Sequence, residues 1–324
     1  MARGLAQLGS DVRQLEKGKG TTTDFVMRCF AAIVRDRPDH IISTHVNFGP
    51  AAHLANRFFK IPYTLVAHGI DIHERLPGRT LAAIRAAERI VAVSEWTRGN
   101  LIALGGIDPK RVAILPNTFD EERFTVGEKS PELLSRYKIA PDERVVLTVA
   151  RLDANERYKG YDRIVEALPQ IVRECANVRF LIVGSGADSE RVARLARDNG
   201  VESSVTFTGF VAQEELADHY RLADVFAMPS TGEGFGIVFL EAMASGTPVV
   251  AGNRDGSVDA LDKGRLGSLV DPMNVDEIAN AITRILARKG PALWFDPHAL
   301  HDAVVDTFGR RAFVRAMRNA LTFN

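Results

Sequence analysis

Two α/β domains, each a doubly wound parallel sheet, are what this chain of 324 residues predicts. Strand-like apolar runs alternate with amphipathic helix-like stretches along nearly its whole length, the pattern of parallel strands joined by crossover helices. The alternation pauses once, in a turn-rich segment at 116–141, and restarts on a strong strand candidate at 145–150. The length suits two domains of ordinary size, each with its own core.

In the first half the strand candidates are 41–44, 63–67, 90–93 and 112–115, with helical stretches near 23–34, 50–59, 81–87 and 96–104. The second half offers strands at 145–150, 179–183, 205–208, 225–228 and 248–251, and a weaker one at 268–270. Helices at 161–174, 189–198, 214–222, 237–244 and 275–287 fall between and after them. Residues 298–321 read as one helix with Phe308, Phe313, Met317 and Leu321 on its apolar side. These elements divide the chain into a first domain over 1–120, a linker over 121–141, a second domain over 142–297 and a helical tail over 298–324. Ligands of such sheets sit beyond the carboxyl ends of the strands, so the chemistry is expected in the loops after those ends.

Apolar residues make up 46% and charged residues 25%, which excludes a disordered chain. No apolar run approaches the ~20 residues of a membrane-spanning helix, and the N-terminus lacks the progression of a secretory signal. Cys29 and Cys175 stand far apart without metal-ligand spacing and read as reduced, packed thiols of a cytoplasmic protein. The net charge of zero gives no support to a nucleic-acid partner. Residues 1–120 nevertheless carry a basic excess of five, either a scattered surface surplus or a face for anionic lipid or an anionic acceptor.

The clearest signal is the run STGEGFGIVFLEAMASG at 230–246. A strand ends just before it, a glycine-rich turn comes next, and a helix starts near Gly236 and Ile237. Glycines let backbone N–H groups approach a ligand, and a helix N-terminus favours an anion such as phosphate. Glu241 lies about one turn into a helix of otherwise apolar neighbours, where a carboxylate is costly unless it receives hydrogen bonds. The two hydroxyls of a ribose would supply them; the alternative is a side chain that reaches solvent or a cation. Glu233 admits two readings, an acid favoured by the helix dipole or a ligand contact.

After the strand at 145–150 comes a loop with Arg151, Arg157 and Lys159. Two fixed cations at a strand end are what a leaving pyrophosphate needs when no metal neutralises it, and Arg157 is a candidate third. The bland alternative is a solvated basic loop. A third turn, Val183-Gly184-Ser185-Gly186, lacks the last glycine of a dinucleotide fingerprint and suits a nucleotide-edge loop. No Asp-x-Asp motif offers itself for a metal-held diphosphate, and no metal or other cofactor is expected.

Together these pieces resemble the retaining glycosyltransferases of family 4, which have the GT-B fold. The resemblance runs over about residues 90–320 and also takes in Thr208-Gly209-Phe210, Gly246-Thr-Pro and Gly267 to Asp271-Pro272. Segments around Val93-Ser94-Glu95-Trp96 and Leu115-Pro116-Asn117 are similar too. It implies two Rossmann-like domains facing a cleft, with a C-terminal helix returning toward the first. It implies that Arg151 and Lys159 hold the donor pyrophosphate, that Glu241 holds ribose, and that Glu233 contacts the transferred sugar beside the backbone of Gly234, Phe235, Gly236 and Ile237. Gly184 and Ser185 would edge the nucleotide, and the turn at Phe210 and Val211 would meet the base.

In the first half His68 sits at a strand end, and the family often has a histidine there. By that likeness it orients the acceptor hydroxyl or assists the departing phosphate. A structural histidine and a metal site of His68, Asp71 and His73 are rival readings, the second lacking a fourth ligand. Residues 1–12 resemble the family's first helix and the strand after it. The family's own first strand and glycine-rich loop have no counterpart, so the first sheet is expected to lack a central strand, through an upstream start or impaired activity. The function expected is transfer of a hexose from a nucleotide-diphosphate sugar to a glycan or lipid-linked acceptor in cell-surface polysaccharide synthesis, at the inner membrane face. Alternatives are a donor-binding partner subunit without activity, and a same-fold epimerase or phosphorylase.

Overall fold

The computed structural model describes residues 1–7, 9–73 and 76–321, with Arg3 and His73 by backbone alone. Its contacts separate two units, one of Met1–Pro116 with Phe313–Asn324 and one of Asn117–Ala312.

The apolar runs of the first unit become β1 (Ile41–Ser43), β2 (Tyr63–Ala67), β3 (Arg89–Ala92) and β4 (Val112–Ile114), all parallel and ordered β1-β2-β3-β4. Every residue of β2 is buried, as a strand covered on both faces requires. One face packs Tyr63, Leu65, Ile84, Ile90 and Leu101; the other packs Val66, Val91 and Leu115 against Met317 and Ala320. The last helix, Arg310–Leu321, thus completes the first unit, and Arg89 donates to the Ala320 carbonyl at 2.8 Å.

The tail read as one helix is two, Pro297–Phe308 and Arg310–Leu321. Gly309 is extended (φ −64°, ψ 171°), and Glu121 Oε2 accepts the Arg310 N–H at 3.2 Å, starting a new helix in place of the old. A second correction concerns the segment after the first helix, Ala2–Gln7, because residues 10–16 form no strand. They lie along the helix Thr22–Asp36 instead, with Arg13 paired to Asp36 and Arg28 donating to the carbonyls of Glu16 and Lys17. Val12 and Leu15 are its only large apolar side chains, too few to cover a sheet.

The second unit contains β5 (Arg144–Val149), β6 (Val178–Val183), β7 (Val205–Gly209), β8 (Val225–Met228), β9 (Val249–Gly252) and β10 (Ser268–Val270). All are parallel, in the order β10-β9-β8-β5-β6-β7. Strand order reverses between β5 and β8, which makes the space beyond their carboxyl ends the preferred ligand position. The core joins Val146, Phe180, Ile182 and Val225 to the helices Tyr161–Glu174 and Val275–Leu286 through Ile164, Leu168, Ile278 and Ile282.

The segment expected as a linker packs into this unit. Phe124 is 2% exposed and meets Tyr220 edge-on at 5.8 Å, and the helix Pro131–Arg136 pairs Arg136 with Glu215 at 2.8 Å. Phe124 has no periodic apolar neighbours in sequence, so its burial, worth ~2 kcal/mol or more, left no pattern to read.

Candidate active site

The loops after β5 and β6 zip together beyond the strand ends. Ala150 N–H donates to Val183 O at 2.9 Å, and Leu152 N–H to Ser185 O at 3.1 Å. Gly184, at φ +133°, lies so close that a Cβ there would stand 1.9 Å from Ala150 O. Its lack of a side chain is therefore required by packing between the two loops. Ser185 is left exposed at the tip.

Residues 154–159 form two short 3-10 turns that meet at a kink at Glu156 (φ −114°, ψ 17°) and end at Gly160, which is left-handed at φ +73°. A Cβ at Gly160 would come within 2.3 Å of Pro229 O, and Thr231 N–H donates to Tyr158 O at 2.8 Å. The loops after β5 and β8 are thereby fastened to each other. Arg151 and Lys159 both reach Glu156: Arg151 pairs with its Oε1, and Lys159 Nζ lies 2.8 Å from its Oε2. Arg151 is exposed, whereas Lys159 is 18% exposed and fixed in place. The third cation is engaged elsewhere. Arg157 bonds Asp188 at 2.7 Å, in a knot with Arg191 and Tyr161 that holds the Asp188 carboxyl well below the usual range, chiefly through Arg191.

Glu233 stands after β8, before the helix Ile237–Ala244. Its backbone is held on both sides: its N–H donates to Asp255 Oδ2 at 2.7 Å, and its carbonyl accepts from Gly256 N–H at 2.8 Å. Asp255 is 2% exposed and also accepts from Ser230 Oγ at 2.7 Å and Ser257 N–H at 3.0 Å. Burial pushes the Glu233 carboxyl up; Lys159 opposes this, while Asp255 and Glu156 add to it. Lys159, Glu156, Glu233 and Asp255 therefore form one electrostatic cluster. Gly236 caps the helix without a side-chain hydrogen bond, so no side chain competes for the first amides of the helix.

Glu241 receives a hydrogen bond from Tyr220 Oη at 2.9 Å onto Oε2. Burial pushes this carboxyl up, and the Tyr220 bond is the largest influence holding it down. The donor needed by a buried carboxylate is thus supplied half from within. Oε1 remains for a further donor such as a hydroxyl. Gly234, Phe235 and Gly236 are buried and Ile237 is 40% exposed. The Phe235 ring packs edge-on against Phe308 at 5.6 Å. Phe210 is 83% exposed after β7, and Val211 is half-buried beside it.

His68 belongs to the other unit. It is exposed at the end of β2, and its Nε2 lies 2.8 Å from Thr44 O. A carbonyl only accepts, so Nε2 is the donor in this contact, which fixes the orientation of the ring. Asp71 Oδ1 accepts the His68 backbone N–H at 2.9 Å and orders the turn. The side chain of His73, part of the rival metal set, lies outside the described residues. Among those described, no three His, Cys, Asp or Glu side chains gather as metal ligands, and no helix is long and apolar enough to cross a membrane.

Glu156, Tyr220 and Asp255 were not singled out by sequence reasoning, yet each touches a residue that was. Tyr220, on the helix Leu216–Leu222 and carrying a hydroxyl that needs a partner when buried, was the one readable signal.

Two family models match the chain. Residues 143–288 match one described as glycosyl transferases group 1, and residues 2–123 one described as glycosyltransferase family 4. The chain is 38% identical over 212 residues, 63% of its length, to a GDP-mannose-dependent alpha-(1-6)-phosphatidylinositol monomannoside mannosyltransferase of Mycobacterium tuberculosis. It is 33% identical over 280 residues, 83% of its length, to a D-inositol 3-phosphate glycosyltransferase 2 of Catenulispora acidiphila. It spans 54% and 61% of those two relatives' own lengths. In fold it is similar to Anabaena HepE, solved in complex with UDP and glucose, with TM-score 0.76 and 22% identity over 92% of this chain and 81% of that one.

Proposed function

We propose that this chain, which belongs to the family 4 glycosyltransferases of GT-B fold, transfers a hexose from a nucleoside-diphosphate sugar to a glycan or lipid-linked acceptor, retaining anomeric configuration without a metal. The observation that carries this reading is the cluster of Lys159, Arg151 and Glu233 on two interlocked loops, beyond the carboxyl ends of β5 and β8.

Arg151 and Lys159 neutralise the diphosphate as its bond to the sugar breaks, and the uncapped tip of the helix Ile237–Ala244 adds backbone N–H donors. Glu241 Oε1 takes a ribose hydroxyl, with Oε2 held by Tyr220. Glu233 meets the transferred sugar beside the backbone of Gly234, Phe235, Gly236 and Ile237. Gly184 and Ser185 edge the nucleotide, and Phe210 and Val211 lie against the base. His68 orients the acceptor hydroxyl, which attacks from the face that the diphosphate leaves and gives its proton to the departing diphosphate. The 38% identical relative is named for GDP-mannose, which makes that donor the first to test, and both relatives are named for inositol-bearing acceptors. Exposed Met27 and Val34 with Arg28 and Arg35, and Leu54 and Phe58 with Arg57, support peripheral contact with anionic lipid during cell-surface glycan synthesis.

A panel of GDP-, UDP- and ADP-sugars tests this. At saturation one class is expected to raise the melting temperature by about 5–10 °C and to release its nucleoside diphosphate when acceptor is added. NMR of the product reports its anomeric configuration. No shift with any donor contradicts the reading.

Tyr220→Phe removes the strongest influence holding the Glu241 carboxyl down, so that acid is protonated at higher pH. The acid limb of kcat/KM, which reports the free enzyme, is expected to move upward in pH, with donor KM rising about fivefold. An unmoved acid limb would separate Glu241 from donor binding.

A further inference from the structure

Between the two cations assigned to the donor diphosphate stands a carboxylate. Glu156 gives one oxygen to Arg151 and the other to Lys159, and its side chain is 13% exposed. One anionic group spreading two oxygens over two cations is also how a phosphate would be held there.

Arg151 and Lys159 bring two positive charges, Glu156 removes one, and Glu233 lies within the electrostatic reach of both Lys159 and Glu156. The loop is thus close to neutral, an odd balance for a seat that receives a diphosphate. A diphosphate placed on both cations with Glu156 unmoved would set like charges side by side in half-buried surroundings, where repulsion is poorly screened. The two pairs also differ. The Arg151 side chain is 70% exposed, so its pair with Glu156 is cheap to break, while Lys159 is more enclosed.

We propose that Glu156 is a resident counter-anion, which holds Arg151 and Lys159 in place in the donor-free protein and is displaced, first from Arg151, by the diphosphate of the donor. This rests on the donor reading of the two cations. It makes Glu156 a positioning residue that sets nucleotide affinity and release without touching the sugar. When the product nucleotide leaves, the carboxylate returns to the cations and speeds its departure.

Calorimetric titration of the full chain with GDP and with UDP, alongside steady-state kinetics, tests the proposal. Glu156→Gln keeps the shape but loses the charge, so it is expected to bind nucleoside diphosphate about tenfold tighter and with steeper salt dependence. Its kcat and donor KM should fall together, because nucleotide release slows. Glu156→Asp, too short to reach both cations, is expected between wild type and Glu156→Gln, and it serves if the glutamine variant folds poorly. Binding unchanged or weaker in both variants, at retained melting temperature, would overturn the proposal. Lys159→Ala separates the two levels: if it binds GDP and UDP as wild type does, the donor reading fails and the proposal with it. If Lys159→Ala binds weakly while Glu156→Gln binds no tighter, the proposal alone falls.

Discussion

Lys159→Ala is expected to lower kcat/KM for sugar transfer by about 10²- to 10³-fold, the loss typical of removing one preorganised charge from a developing anion. The side chain is 18% exposed and sits on a loop pinned to its neighbour by Gly160 against Pro229 and by the Tyr158–Thr231 hydrogen bond. It therefore has little freedom to lose on meeting the phosphate, which is what makes a fixed cation effective. Arg151, at 70% exposure, is more open to water, so its charge is better screened and cannot make up for the loss. Glu156 keeps a partner in Arg151, so the melting temperature should hardly change, and steady-state rates beside a thermal melt separate chemistry from folding. Transfer within threefold of wild type would remove Lys159 from the mechanism.

Asp255→Ala is expected to be the most damaging single change to the site's framework. Its carboxylate accepts from Ser230 Oγ, Glu233 N–H and Ser257 N–H at 2.7–3.0 Å, and alanine leaves all three without it in a place closed to water. The cost is about 3–5 kcal/mol, or roughly 8–15 °C in melting temperature. Activity should fall further than stability explains, because the Glu233 backbone loses the anchor of its N–H. Asp255→Asn should fall between, since an amide accepts through one oxygen and sets its NH₂ against existing donors. Burial pushes the Asp255 carboxyl up against the pull of its hydrogen bonds, so part of the charged form's advantage is already spent. An Asp255→Ala protein that melts as wild type does would show that the loop is held by other means.

The strands of the second unit could be read from sequence because each is an apolar run that ends at a polar or glycine-bearing turn. Val225–Met228 and Ser268–Val270 fall where the pattern put them. The same logic picked out Arg151, Lys159, Glu233 and Glu241, which are polar residues at strand ends or among apolar neighbours. What escaped were partners distant in sequence. Tyr220 lies twenty-one residues from Glu241, and Asp255 twenty-two from the N–H of Glu233 that it holds. Glu156 is only three residues from Lys159 but sits in a loop where an acid looks like solvent-facing filler. Arg157 failed in the other direction: a cation in the right loop was drawn away by buried Asp188, whose own position depends on the turn after β6. The break at Gly309 rests on Glu121, nearly two hundred residues earlier, and no local pattern carries that.

The last helix bears on how the protein is made. Met317 and Ala320 cover the face of the first sheet formed by Val66 and Val91, so strands made early wait for a helix that lies far later in the chain. The second unit has every strand and its crossover helices in hand well before that and can fold on its own while the ribosome is still working. Until residue 321 emerges, the nascent first unit presents an uncovered greasy surface, the state in which chaperones would be expected to hold it.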